Sequence, residues 1–364
     1  MRPWYADDYR GWPVAPRNRQ HPVRGSWLDP RRRALYHPGI DISVRDDQPE
    51  RGAPPGRTHR VYALEGGPVW HVWMQPRPGR EGIVRIGHFT YGHVLPVVEL
   101  GQEVKPGQLI AWTTKGEWHL HLSEWRFPGR KNPPPPGPGH TTARQIQVNP
   151  LDREGKIAPY RDTAPPVIRE IRFHRPVASG VGGRTTAGAA ASTWRTNEGS
   201  AVFPPGGAPL DPTRLSGQVD VRARIEDLQS FRGWFRDVPL LETDHHPARV
   251  HLAVDRVSDG KRVVDRDVFS SDVWPGPESP LRDQIPISHH YAPGTRQNLR
   301  AATAFRLDRQ GRGELWFRLF ARRNRYNWDT TAFRDGPYRL TVTAWDIVGN
   351  RASESIDVVI ANNV

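Results

Sequence analysis

The chain has 364 residues, including 37 Pro, 34 Gly and 14 Trp, with no Cys and a formal net charge of +13. This length exceeds the ~100–200 residues of a typical domain and leaves room for two cores. The absence of Cys excludes disulfides and thiolate metal sites, the Pro and Gly content argues against long helices, and the basic balance favours an anionic partner: nucleic acid, a membrane surface or a cell wall.

The charge is spread along the chain. Residues 1–160 hold 23 Lys and Arg against 15 Asp and Glu, and the remainder holds 29 against 24. No single basic block marks a nucleic-acid tail, and no nucleic-acid partner is expected. No apolar run approaches ~18 residues, so no membrane span is expected. The opening MRPWYADDYRGW lacks the apolar centre of a signal peptide.

The elements expected in chain order are mostly strands. VYALEGGPVWHVWM from Val61 and GIVRIGHFTYGHVLPVV from Gly82 alternate apolar and polar residues, with turn signals at Gly66-Gly67 and Pro78-Gly79. GQEVKPGQLIAW from Gly101 reads as strand, Pro-Gly turn, strand, and WHLHLSEW from Trp118 alternates with period two. PPPPGPGH at Pro133–His140 is an exposed loop. DTAPPVI at Asp162–Ile168 marks a boundary, giving domains at 1–161 and 162–364 with independent cores. Residues 178–212, rich in Gly, Ala, Ser and Pro, read as a long insertion or flexible loop. From 215 onward, SGQVDVRARIED, PARVHLAVDRV, GELWFRLF, DGPYRLTVTAWDIVG and ESIDVVIAN fit an antiparallel β-sandwich with insertions near 228–247 and 270–300.

Four pieces of the first domain belong together: His37-Pro38-Gly39-Ile40-Asp41, Tyr91-Gly92-His93, the Gly101–Ile110 turn, and His119-Leu120-His121 followed by Glu124. A catalytic zinc takes three protein ligands from His and carboxylate and keeps one position open for water. His37, Asp41 and His121 supply a His₂Asp set. Period two puts His119 and His121 on one strand face, and His93 on a paired strand about 4.8 Å away reaches the same spot. A His-x-His pair taken alone on a basic β-rich chain reads as a solvated strand face; the order of all four pieces carries the argument.

With HPGIDI, VYALEGGPV, YGHV, GQEVKPGQLI, HLHLSE and the closing NPL, residues 11–155 resemble the lysostaphin/LytM-type zinc endopeptidases. The lead-in segments GWPV and HPVRGSWLDPR share the resemblance. It implies an antiparallel β-sheet peptidase domain, with His37, Asp41 and His121 as zinc ligands and His93 and His119 as the two further catalytic histidines, their individual roles unassigned. It also implies hydrolysis of peptide cross-links in bacterial peptidoglycan, a monomer, and a secreted or cell-envelope location. Val94 stands where the family has Leu, Leu122-Ser123 replaces its Phe before Glu124, and the TTKGEW loop before His119 is short, which predicts a more open substrate groove. Tyr91 is either a hydrogen-bonding neighbour of the site or a sheet-packing aromatic. Residues 165–364 resemble a bacterial immunoglobulin-like module, read as a spacer or a wall-binding surface.

The pairs His245-His246 and His289-His290 read as loop residues, because adjacent strand residues face opposite ways. His59, His71 and His88 read as surface or sheet residues. The competing functions are a catalytically inactive regulator and a wall-binding protein with a vestigial peptidase site.

Overall fold

The computed structural model describes residues 11–31, 35–74, 81–126, 146–152, 157, 160–176, 195–197, 200–202, 207–228, 244–245, 247–271, 290–295, 314–321 and 326–363. The loop expected at Pro133–His140, His246, His289 and most of the stretches 178–212, 228–247 and 270–300 lie outside the described residues. Among the described residues there is no α-helix, and every pairing between strands is antiparallel. No helix is long and apolar enough to cross a membrane.

The first half builds a ten-stranded sheet. Its central order is Val23–Gly25, Ile40–Ser43, His119–Arg126, Phe89–Pro96, Gly82–Ile86, Gly67–Met74 and Glu103–Val104. Leu109–Thr114 pairs with both Phe89–Pro96 and Arg57–Tyr62, and Ile146–Val148 adds to His119–Arg126. The run from Gly82 divides into two strands at Gly87-His88. Gly87 has φ of 55°, and a Cβ there would lie 2.1 Å from Glu65 Oε2. Only glycine therefore lets this hairpin close against Glu65. The turn before Leu109 uses Gly107 with φ of 77°, as the Pro-Gly signal predicts.

The second half forms a four-stranded sheet, ordered Arg262–Ser270, Arg249–Arg256, Gly336–Trp345 and Arg351–Ile360, and a five-stranded sheet built around Gln218–Leu228. The strand Arg262–Ser270 was not evident from the sequence pattern. Within the stretch read as a flexible loop, Arg195–Asn197 and Ser200–Val202 pair as a short hairpin.

Among the described residues, strand pairing and isolated bridges stay within 14–148 or within 167–360. Side-chain packing does not respect that boundary: one contiguous cluster of buried hydrophobic residues draws on both halves, with Trp70 and Trp125 in a small cluster apart. The expectation of two independent cores is corrected in this respect. Trp27 Nε1 donates to the Ser271 carbonyl at 3.0 Å, Tyr291 Oη donates to the Leu28 carbonyl at 3.0 Å, and Tyr36 Oη lies 2.8 Å from His290 Nδ1. Aromatic rings with one polar edge serve such a junction because they bury apolar area and still satisfy their donor.

Candidate metal centre and its histidines

Ile40–Ser43 runs antiparallel to His119–Arg126 with Asp41 opposite His121. Ile40, Ile42, Leu120 and Leu122 are fully buried. Alternation therefore places Asp41, His119 and His121 together on the other face. His37 precedes this strand and approaches the same spot because Gly39 lets the chain pass tightly: a Cβ on Gly39 would lie 2.3 Å from the Leu122 carbonyl oxygen. That contact explains the glycine in HPGID.

Three donor atoms converge. His37 Nε2 is 3.1 Å from Asp41 Oδ1 and 3.0 Å from His121 Nδ1, and His121 Nδ1 is 3.0 Å from Asp41 Oδ1. His37 Nδ1 lies 2.8 Å from the Ser26 carbonyl oxygen. A carbonyl only accepts, so this nitrogen carries the ring proton and Nε2 keeps its lone pair. On His121 the outer nitrogen, Nε2, pairs with Ser123 Oγ at 2.9 Å, leaving Nδ1 to face the trio. Two imidazole lone pairs and a carboxylate oxygen at such spacing repel one another unless a proton or a cation lies among them. Four-coordinate ions with bonds of about 2.0–2.1 Å set their ligands about 3.3–3.4 Å apart, close to the spacing seen here. The trio is thus able to hold a metal ion.

His93 reaches this centre through a bulge. Gly92 pairs with Ile83 and Val94 with Gly82, so His93 is the extra residue, with φ of 60°. Tyr91 is fully buried on the core face, opposite Leu122. A regular strand would put His93 on that same face; the bulge turns it over. Its ring centroid is then 4.3 Å from that of His119 and 6.1 Å from that of His121. Gly92 makes room: a Cβ there would lie 3.3 Å from His121 Cβ.

The surroundings of the two further histidines differ. His93 Nδ1 is hydrogen-bonded to Glu81 Oε2, with Glu117 Oε2 3.7 Å away. Burial lowers its pKa, but Glu81, Asp41 and Glu117 outweigh that and raise it overall. His119 is buried and its pKa falls well below the ordinary value, first through burial and then through the Arg24 guanidinium, with Asp41 opposing. Arg24 Nη2 contacts His119 Nδ1. That guanidinium only donates, while the Glu117 carbonyl oxygen, 2.5 Å from the same Nδ1, only accepts, so the two contacts favour opposite ring tautomers; Nε2 lies 3.5 Å from Asp41 Oδ1.

Comparisons with family models, curated proteins and solved structures find no match. The chemistry of the site therefore rests on its own geometry.

All five histidine and aspartate positions singled out in the sequence meet at one place. Tyr91 packs in the core, and its Oη accepts from Leu64 N–H at 2.7 Å. The residues missed were the supports: the Ser26 carbonyl, Ser123, Arg24, Glu81 and Glu117. Only Ser123 had a local signal, two residues beyond His121 on the same strand face. The short loop before His119 is pinned by Asp46 Oδ2, which accepts from Gly116 N–H at 2.6 Å and Trp118 N–H at 3.0 Å.

His59, read as a surface or sheet residue, is a buried sheet residue on Arg57–Tyr62, and His88, read likewise, is buried in the turn at Gly87-His88. His88 Nδ1 pairs with Glu65 Oε2 at 3.0 Å, while His71 lies half-buried on Gly67–Met74. His290, read as a loop residue, is buried against Tyr36 and Phe269. The backbone of His245 belongs to a two-residue strand.

Proposed function

We propose that this chain is a zinc-dependent endopeptidase of the lysostaphin/LytM type that hydrolyses peptide cross-links of bacterial peptidoglycan. The observation that carries the proposal is the donor triangle of His37 Nε2, Asp41 Oδ1 and His121 Nδ1, all within 3.1 Å of one another, flanked by two non-ligand histidines. Two imidazoles and one carboxylate without thiolate suit zinc. Zinc bound there supplies Lewis acidity and a water whose pKa falls toward about 7.

The chain's own residues divide the proton work. Glu81 on Nδ1 of His93 leaves Nε2 as the basic atom, oriented to take a proton from the attacking water. In the tautomer that the Arg24 contact favours, His119 carries its proton on Nε2 and is suited to hydrogen-bond the carbonyl oxygen as it gains negative charge. One water adds across the amide: its oxygen bonds to the carbonyl carbon, the C–N bond breaks, and a proton passes to the departing amine nitrogen. His93, Glu81 and Glu117 are the more exposed side of the site, at 26–38%, and face the approaching peptide.

The second half, whose two larger sheets among the described residues are both antiparallel, acts as an immunoglobulin-like module that holds the enzyme against the wall. The net charge of +13 suits anionic wall polymers, and this substrate implies action in the envelope or outside the cell. The test has two parts: elemental analysis of the purified protein, expecting one zinc per chain, and digestion of peptidoglycans with different cross-bridges followed by mass spectrometry. Stoichiometric zinc with no cleavage product would support an inactive regulator, and absence of zinc uptake would support a vestigial site.

A further inference from the structure

Away from the histidines, three aspartates from distant parts of the chain meet at the junction between its two halves. Asp162 lies in the connecting segment, Asp227 near the end of Gln218–Leu228, and Asp346 just after Gly336–Trp345. One carboxylate oxygen of each lies within 4.8 Å of the others. They border a cavity of about 20 Å³, also lined by Ser271, Ser26 and Trp27. That volume admits one water or small ion, for which about 10–15 Å³ suffices.

Two observations separate this group from an ordinary acidic cluster. Asp227 is 5% exposed and its Oδ1 has no hydrogen-bond partner among the described residues. Ser271, 1% exposed and uncharged, likewise leaves its Oγ unpartnered at the same cavity. A buried carboxylate oxygen and a buried hydroxyl left unsatisfied each cost free energy, and buried charges are ordinarily paired or bound to metal. None of the described lining residues carries a positive charge. Asp346 spends part of its capacity on Asn350 and Val348, accepting from Asn350 N–H at 2.8 Å and Val348 N–H at 3.0 Å through Oδ1. Burial and the mutual repulsion of the three carboxylates push Asp227 well above the ordinary carboxylate range.

We infer that Asp162, Asp227, Asp346 and Ser271 form a second cation site, for Ca²⁺, that braces the connecting segment against both halves of the chain. The donors are all oxygen, which suits a hard cation. They come from four separate segments, an irregular cage that Ca²⁺ tolerates and Mg²⁺, with its octahedral demand, does not. The site touches the peptidase-like half through Ser26 and Trp27. Ser26 is the residue whose carbonyl orients His37. The inference stands apart from the reading of the histidine centre, and it holds whether or not that centre is catalytic.

The test titrates CaCl₂ into full-length protein stripped of metal by chelation and dialysis, read by calorimetry and thermal melting. His37→Ala runs in parallel to exclude uptake at the histidine centre. The expected result is one Ca²⁺ per chain and a raised melting temperature, both unchanged by His37→Ala. Asp227→Asn is expected to weaken binding by roughly 100-fold or more, since losing even an outer partner of a ligand costs about 10–100-fold. Ser271→Ala, which keeps every charge, also weakens binding and decides the matter if Asp227→Asn does not fold. Absence of calcium binding at millimolar concentration overturns the proposal. So does binding that neither variant alters, and a response to MgCl₂ with none to CaCl₂ overturns the assignment of the ion.

Discussion

Asp41 and His121 face each other directly across two antiparallel strands, with Oδ1 3.0 Å from Nδ1, and His37 completes the triangle from outside that pairing. Two of the three donors are thus set by sheet register and the third by a glycine-permitted close approach. Substitutions should separate these donors from the neighbouring histidines. His121→Ala is expected to lose both metal and hydrolysis. His93→Ala and His119→Ala are expected to keep metal while hydrolysis falls by about 10²–10⁴-fold, the usual cost of removing a proton-transfer group. Metal content and peptide cleavage measured on the same preparations check this; metal loss in His119→Ala with retention in His121→Ala would reverse the two assignments.

Ser123 pairs with the outer nitrogen of His121 at 2.9 Å. Ser123→Ala should leave the fold intact, because this small side chain lies beside the ring and outside the apolar core. Its loss frees the imidazole to rotate, so metal affinity is expected to drop about 10–100-fold. Competition with a chromophoric chelator measures it, and an unchanged affinity would show that sheet register alone orients the ring.

Two buried histidines away from the donor triangle make stability depend on pH. His21 and His59 have pKa values lowered from 6.5 to about 4, each chiefly by burial. The unfolded chain binds more protons than the folded one between those values, so stability rises with pH there. Their contribution is complete above about pH 6.5 and is lost as pH falls toward 4, at up to about 1.4 kcal/mol per pH unit for each histidine. Urea denaturation at pH 7 and pH 5 should show the loss, and His59→Gln should make it shallower. Equal stability at both pH values would contradict the burial of these rings.

Ending the chain near residue 160 removes the partners of Trp27, Leu28 and Tyr36. These residues flank the segment that carries Ser26 and His37. Such a truncation is expected to melt at a lower temperature than the full chain and to bind metal more weakly. Thermal melts and metal titration of the two forms test it. Equal metal affinity would mean that the second half packs on the first without supporting the centre.

Much of the site was legible in the sequence because its signals are local. Period-two alternation in WHLHLSEW places His119 and His121 opposite Leu120 and Leu122 whatever surrounds the strand, and Pro-Gly at 106–107 dictates a turn by backbone sterics alone. The all-β character follows from the same alternation, from the turn residues and from the scarcity of helix-forming runs. The bulge at His93 was not legible, since it arises from a one-residue mismatch between Gly82–Ile86 and Phe89–Pro96, and register belongs to a pair of strands. The supports from Arg24, Glu81, Glu117 and the Ser26 carbonyl were hidden for the same reason. So was the meeting of Asp162, Asp227 and Asp346, up to 184 positions apart. Local sterics and side-chain period act between chain neighbours and can be read from them. Contacts between distant residues are decided when strand register and core packing are chosen together, and at that level the structure joined two separately paired halves through one buried cluster.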